Sequence, residues 1–428
     1  MSFRFLHLAD PHIDSPMKGL ERIPDAPIAQ LRDATRDAFR NAVTYAINER
    51  LPLVVIAGDI FDEAWQTMTT GLWVVEQLRR LSDEGIHVCL IRGNHDSASD
   101  VPARLTWPRR VHEFAADRPE TFQLPETDEF PQSVPVFVHG QSFAGRAVTE
   151  DLAANYPHRR EGAYNIGVLH TSLEGNAAHA TYAPTSVSVL RELGYDYWAL
   201  GHIHQRAIVS QQPPVVYAGN MQGRHVREIG PRGGAVVTLG GGPSQSDAEI
   251  AFVDFDTVRW NELVVESEDD DVADDLIAKA AAACDTAYAE AGGRLLALRV
   301  RFVGVTAEYD RITAFDSSFE SEVRSALRQR SSVWIEKVVV QVRPPIDLDE
   351  LRTGGGILGL LLEDFDAAPQ QSDDERRDEI DAIFRKLRQK AARRQIDLPA
   401  AGVVFDDSFA TWSDLARDQL LATLHLSD

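Results

Sequence analysis

The 428-residue chain is long enough for two or three domains with separate cores. With 44% hydrophobic and 25% charged residues it reads as an ordinary soluble globular protein, and no apolar run approaches the roughly 20 residues that cross a bilayer. A net charge of −23 argues against a simple nucleic-acid binder, whose grip rests on Lys and Arg, so a polynucleotide substrate would call for a partner that supplies much of that grip.

The opening residues MSFRFLHLAD lack a basic segment, a longer apolar core and a small-residue cleavage site. The expectation is a cytoplasmic protein with Cys89 and Cys284 as buried free thiols. FRFLHLA is the first apolar run. It is followed over Ile28–Arg50 by Leu31, Ala34, Ala38, Phe39, Ala42, Val43, Ala46 and Ile47 at helical spacing. LPLVVIAG, a helix over Thr69–Glu84, and IHVCLIRG come next, then VPVFVHG, YNIGVLH, YDYWALGH and PVVYAGN. Strands alternating with helices predict a layered α/β fold. After the Gly-rich stretch Gly240–Ser246 the pattern changes. Strands are expected at Ile250–Asp256 and Glu262–Glu266, a helix at Asp271–Glu290, a strand at Leu295–Val303, a helix at Ser318–Arg328 and a strand at Val333–Val342. Beyond Arg343-Pro344-Pro345 the chain reads as helical, with an apolar stripe at Ile357, Leu358, Leu360, Leu361 and Leu362. The expected division is a first domain over 1–245, an α+β unit over 246–345 and a helical segment over 346–428.

Five of the apolar runs end in residues suited to metal ligation. They are Asp10-Pro11-His12, Gly58-Asp59, Gly93-Asn94-His95-Asp96, His170 and Gly201-His202-Ile203-His204. In an open α/β sheet the carboxyl ends of strands converge on one crevice, so these residues would meet there. Side chains two apart in an extended segment point the same way, which pairs Asp10 with His12 and His202 with His204. Carboxylate and amide oxygens mixed with imidazoles suit Mn, Fe or Zn better than a Ca or Mg cage. Each motif alone recurs by chance; the five together do not.

In this order DxH, GD, GNHD, a lone His and GHxH resemble the calcineurin-like metallophosphoesterase superfamily. ADPHIDSPMKGL, AGDIFD, IRGNHDS, LHTSLEG and YWALGHIHQR resemble the SbcD-type DNA repair nuclease subunits, and with YAGNMQGRHVREIGPRGG the YhaO-type branch of them. The resemblance implies a four-layer α/β/β/α sandwich with an α+β cap and a helical tail for partner docking. It also implies two divalent metals, Mn before Fe or Zn. Asp10, His12 and His204 would hold one, Asn94, His170 and His202 the other, and Asp59 would bridge them. His95 would be the catalytic residue at the leaving oxygen, oriented by Asp62 or Asp96. The implied function is DNA cleavage, exo- or endonucleolytic, with DNA, an SbcC/YhaN-like coiled-coil ATPase and a second copy of the chain as partners. A small-molecule or nucleotide phosphodiesterase and a scaffold subunit for such an ATPase are the alternatives.

Other residues read as structural. His7 lies mid-strand and belongs to the core, while His112, His139, His158 and His179 lack a companion at ligand spacing and default to surface or loop. Asp14 and Ser15 read as a helix cap ahead of the alternative that they steer the Asp10 loop, and Arg224 and His225 as either phosphate contacts or turn residues.

Overall fold

A computed structural model describes residues 2–345, apart from 17–22, 24, 63–66, 99–103, 128–129, 131, 133, 174–181, 243–246 and 315–317. The helical segment expected over 346–428, with its Ile357–Leu362 stripe, lies outside the described residues, as does His179. The elements are β1 (Phe3–Leu8), α1 (Ile28–Asn48), β2 (Leu53–Ala57), α2 (Met68–Asp83), β3 (His87–Ile91), β4 (Val111–Glu113), β5 (Glu120–Gln123) and β6 (Val136–Gly140). Next come β7 (Tyr164–His170), α3 (Val187–Glu192), β8 (Tyr197–Gly201), β9 (Ala207–Gln211), β10 (Pro214–Tyr217), β11 (Gly233–Leu239) and β12 (Ala248–Asp254). The last are β13 (Val258–Ser267), α4 (Ala273–Ala291), β14 (Leu295–Val305), α5 (Tyr309–Thr313), α6 (Phe319–Leu327) and β15 (Val333–Arg343).

Two compact units emerge. The first takes residues 1–262, 285–299 and 330–336; the second takes 263–284, 300–329 and the residues described from 337 on. The first unit holds two six-stranded sheets, ordered β12-β11-β1-β2-β3-β4 and β5-β6-β7-β8-β10-β9. β1, β2 and β3 run parallel, as do β6, β7 and β8.

The pleat explains the layering, because successive strand residues face opposite ways. Leu6, Leu8, Val54, Ile56, Val88 and Leu90 turn outward onto Phe39, Val43, Val74 and Leu78 of α1 and α2. Phe5, Val55, Ala57, Cys89 and Ile91 turn inward onto Val138, Ile166, Val168, Tyr197 and Ala199 of the second sheet. That sheet's other face, through Leu169, Trp198 and Leu200, packs on Leu190 of α3 and on Leu152 and Tyr156. The result is the expected α/β/β/α sandwich. Each large side chain buried in it contributes roughly 1.5–3 kcal/mol. The α1 face legible from its spacing is the one that is buried, from Leu31 through Ala46. Cys89 and Cys284 are both buried, and neither forms a disulfide among the described residues.

The first unit runs past residue 245 because the Gly-rich stretch falls between paired strands. β11 lies antiparallel to β1, and β12 lies antiparallel to β11 through Leu239↔Ala248 to Gly233↔Asp254. The strand expected near Ile250–Asp256 therefore extends the first sheet. His139 is a correction to the surface reading. It sits fully buried in β6, with its ring nitrogens against Thr121 Oγ1 at 2.9 Å and Asn165 Oδ1 at 3.1 Å. His112 is likewise in a strand, half-buried and stacked on Phe122.

In the second unit Phe319, Val323 and Leu327 form the buried face of α6, with Phe319 packed edge-on against Phe302 at 5.0 Å. β13, β14 and β15 make a separate three-stranded sheet in that order. Among the described residues no helix is long and apolar enough to cross a membrane.

Candidate metal centre

The parallel strands deliver their carboxyl ends to one place. β1 leads into Asp10 and His12, β2 into Asp59, β3 into Asn94 and His95, β7 ends on His170, and β8 leads into His202 and His204. Four of the backbones turn sharply to do so. Asp10, His12, Asp59 and His202 have φ of 49°, 42°, 53° and 98°. Each such left-handed residue with a side chain costs on the order of 1 kcal/mol, a strain that concentrates at functional sites.

The convergence is close. Ligand atoms of Asp10, His12 and His204 lie within 4.8 Å of one another, as do those of Asp10, Asp59 and His170, and of His12, Asp62 and His95. His170 Nε2 is 3.4 Å from Asp59 Oδ2 and 3.0 Å from Asn94 Oδ1. His12 Nε2 is 3.2 Å from His204 Nε2 and 3.8 Å from Asp59 Oδ2. The backbone N–H of His202 donates to both oxygens of Asp10 at 3.1 Å, and its ring packs on that of His170 at 5.3 Å. His95 donates its backbone N–H to Asp59 Oδ1 at 2.9 Å, and its ring stands edge-on to His12 at 4.9 Å. All eight residues read from the sequence thus meet in one site.

The proton inventory tests whether a cation fits. His170 Nδ1 donates to the Ala57 carbonyl at 3.0 Å, so its Nε2 presents a lone pair to the Asp59 carboxylate. His204 Nδ1 donates to Glu228 Oε1 at 2.7 Å, which turns its Nε2 lone pair toward His12. Lone pairs facing lone pairs in a buried site are what a divalent cation satisfies. Burial holds the imidazoles neutral, with His12 well below its ordinary pKa and His170 down to about 3. Burial first, and then the neighbouring Asp59 charge, push the Asp10 carboxyl up; burial likewise raises Asp59. A cation would relieve both.

Asp96 and Asp62 separate clearly. The Asp96 carboxylate is buried and accepts from the backbone N–H groups of Ile60 (3.2 Å), Phe61 (2.8 Å) and Gly93 (3.0 Å), tying the β2 and β3 loops together. Asp62 is the carboxylate beside His12 and His95. Asp96→Ala should leave three buried donors without their acceptor, at about 1–3 kcal/mol each. Urea unfolding should show a loss of about 3 kcal/mol or more; a loss below about 1 kcal/mol would contradict that role.

Asp14 is not a helix cap. Its carboxylate takes Arg36 Nε at 2.7 Å and Nη2 at 2.5 Å and also accepts from Thr70, pinning the Asp10 loop to α1 and α2. Ser15 donates to Asp62 at 2.9 Å. His225 is exposed in its turn, whereas Arg224 points inward. Glu228 is the residue that sequence reasoning missed. Burial pushes its carboxyl up, but the hydrogen bond from His204 and the charge of Arg224 outweigh that and hold it well below the usual range.

Calcineurin-like phosphoesterases match residues 3–206, and the middle domain of the metallophosphoesterase YhaO matches residues 260–343. The chain is 34% identical over 264 residues to the uncharacterized metallophosphoesterase YhaO of Bacillus subtilis, covering 61% of this chain and 62% of that protein. It is 26% identical over 222 residues to the DNA double-strand break repair protein Mre11 of Methanopyrus kandleri, covering 47% and 44%. The Mre11 of Sulfolobus acidocaldarius is 27% identical over 214 residues, covering 47% and 50%. The chain therefore spans less than two thirds of the Bacillus relative and about half of these archaeal ones. A solved dimetal phosphatase from Danio rerio, 14% identical, covers 59% of this chain and 99% of its own at a TM-score of 0.34, which adds nothing to the family match.

Proposed function

From a chain that carries a calcineurin-like phosphoesterase domain followed by a YhaO middle domain, we propose a two-metal-dependent nuclease that hydrolyses phosphodiester bonds in DNA, as an exonuclease, an endonuclease or both. The observation that carries this reading is the convergence of Asp59 with His170 and His12 on lone pairs that face one another. Asp10, His12 and His204 would hold one cation and Asn94, His170 and His202 the other, with Asp59 shared between the two. Mn is the leading candidate, with Fe or Zn as alternatives. The chemistry supplied by two such cations when bound is polarisation of the phosphoester and acidification of a water.

The chain's own residues do the rest. Asp96 and the backbone turns fix the ligand loops. His95, anchored through its backbone N–H to Asp59 and lying beside Asp62, is placed to give a proton to the leaving oxygen. Asp62, not Asp96, is the residue that orients it.

DNA as substrate draws support from the Mre11 relatives, whose name is that of DNA double-strand break repair proteins. The α+β part of the chain that follows β12 is read as a cap that restricts which DNA ends reach the site, and 346–428 as a docking segment. A net charge of −23 makes an SbcC/YhaN-like coiled-coil ATPase the source of positive charge, in a cytoplasmic assembly that includes a second copy of the chain. The same charge favours the second reading, a nucleotide phosphodiesterase acting on small substrates.

Hydrolysis of a labelled linear duplex, a labelled single strand and bis-p-nitrophenyl phosphate with Mn separates the two. Cleavage of DNA that falls by about 10²–10⁴ in His95→Ala supports the nuclease. Cleavage of the small ester alone rejects DNA as substrate and leaves the nucleotide phosphodiesterase.

A further inference from the structure

His204 is held more firmly than a ligand needs if only its ring nitrogen matters. Its carbonyl accepts from Arg232 Nη1 and from the Asn220 backbone N–H at 3.1 Å, which fixes the main chain. Its ring is fixed separately, by the 2.7 Å hydrogen bond from Nδ1 to Glu228 Oε1. Glu228 is buried, 5% exposed, in the loop between β10 and β11. Its carboxylate is fastened in turn by Arg224, whose backbone N–H reaches Oε2 at 2.7 Å and whose Nη2 reaches Oε1 at 3.0 Å. The far side of the same guanidinium lies 3.3 Å from Ser15 Oγ and 3.5 Å from Asp62 Oδ2. Arg224 thus spans from the carboxylate on His204 to the carboxylate beside His12 and His95.

We infer that Glu228, locked by Arg224, is a positioning residue that fixes which nitrogen of His204 faces the site and so sets how tightly the Asp10–His12–His204 position holds its cation. The inference rests on the two-cation reading above and deepens it. An imidazole whose outer nitrogen donates to a carboxylate has one tautomer, a fixed ring plane and a more basic inner nitrogen, and losing such a partner typically costs 10–100-fold in metal affinity. Arg224 directs its donors at Glu228, Ser15 and Asp62, and its Nη2 packs 3.3 Å from His204 Nδ1, whose own proton goes to Glu228. Its role is to hold the pair together, which also accounts for the GRHVRE stretch that the ligand motifs left unused. The effect is one-sided. His170 takes its orienting bond from the Ala57 carbonyl, so the other position does not depend on Glu228.

The test is calorimetric titration of the chelator-stripped full chain with Mn, on the wild type, Glu228→Ala, Glu228→Gln and Arg224→Lys. The wild type should bind two ions. Glu228→Ala should weaken one of the two affinities by about 10–100-fold and leave the other unchanged. Glu228→Gln keeps an oxygen for Nδ1–H and should fall between, as should Arg224→Lys, which keeps charge but not the forked contact. Thermal unfolding in chelator reports whether each variant folds, and the two conservative variants carry the test if Glu228→Ala does not. Unchanged affinities with a lowered melting temperature would make Glu228 a turn stabiliser and overturn the inference. Equal weakening of both positions in a folded variant would also overturn it. A wild type that binds fewer than two ions would remove the two-cation reading and this inference together, whereas two ions without phosphodiester hydrolysis would remove only the proposed function.

Discussion

Asp59→Asn is expected to lower turnover of bis-p-nitrophenyl phosphate at least about a thousandfold, equivalent to about 4 kcal/mol of transition-state stabilisation, while the chain stays folded. Asp59 has oxygens that reach both halves of the site, 3.4 Å from His170 Nε2 and 3.8 Å from His12 Nε2, while Oδ1 holds the backbone of His95. Asparagine keeps the shape and the acceptor for His95 but removes the charge on which two cations would share. Burial already works against that charge, so the cation-free variant should be at least as stable as the wild type. Loss of activity combined with an unchanged or raised melting temperature in chelator is the signature. Activity within tenfold of the wild type would refute a bridging role.

Gly93→Ala should be nearly as damaging, through geometry alone. A Cβ at that position would sit 2.2 Å from Asp59 Oδ1, 2.9 Å from Asp59 Cγ and 2.8 Å from His170 Cε1. Both neighbours are buried with fixed partners, so neither can swing away without leaving the site. A misplacement of about 1 Å can cost about 100-fold in rate, and overpacking costs about 1–3 kcal/mol in stability. Gly145→Ala is the matching control, because a Cβ there meets nothing within 4 Å. It should change stability by no more than about 0.5 kcal/mol and leave turnover unaltered. Equal rates for the two variants would show that close packing behind the ligands does not matter.

The convergence of these side chains was legible because each strand announces its own end. An apolar run such as LPLVVIA or YWAL stops at glycine and then a polar residue, and period-2 spacing pairs Asp10 with His12 and His202 with His204. The α1 face was legible for a similar reason, since Leu31 through Ala46 recur at helical spacing over about four turns. Glu228 was not, because it stands 24 residues from the histidine it orients and that distance has no periodic signature. Asp14 looked like a cap because the rule is local, whereas its partners Arg36 and Thr70 come from two helices that only the fold brings near. His139 looked peripheral at the end of VPVFVHG, yet its hydrogen bonds to Thr121 and Asn165 make it a satisfied core residue. The edge strands β4 and β5 and the half-exposed β9 carry too little alternation to be seen. The Gly240–Ser246 stretch looked like a boundary because composition does not distinguish a linker from the connection of two paired strands.

The most direct measurement is bis-p-nitrophenyl phosphate hydrolysis by the full chain, stripped with chelator and then restored with measured amounts of Mn. The account predicts no turnover in the stripped protein and recovery that levels off at two ions per chain. Turnover that survives chelation, or none with two ions bound, would contradict it.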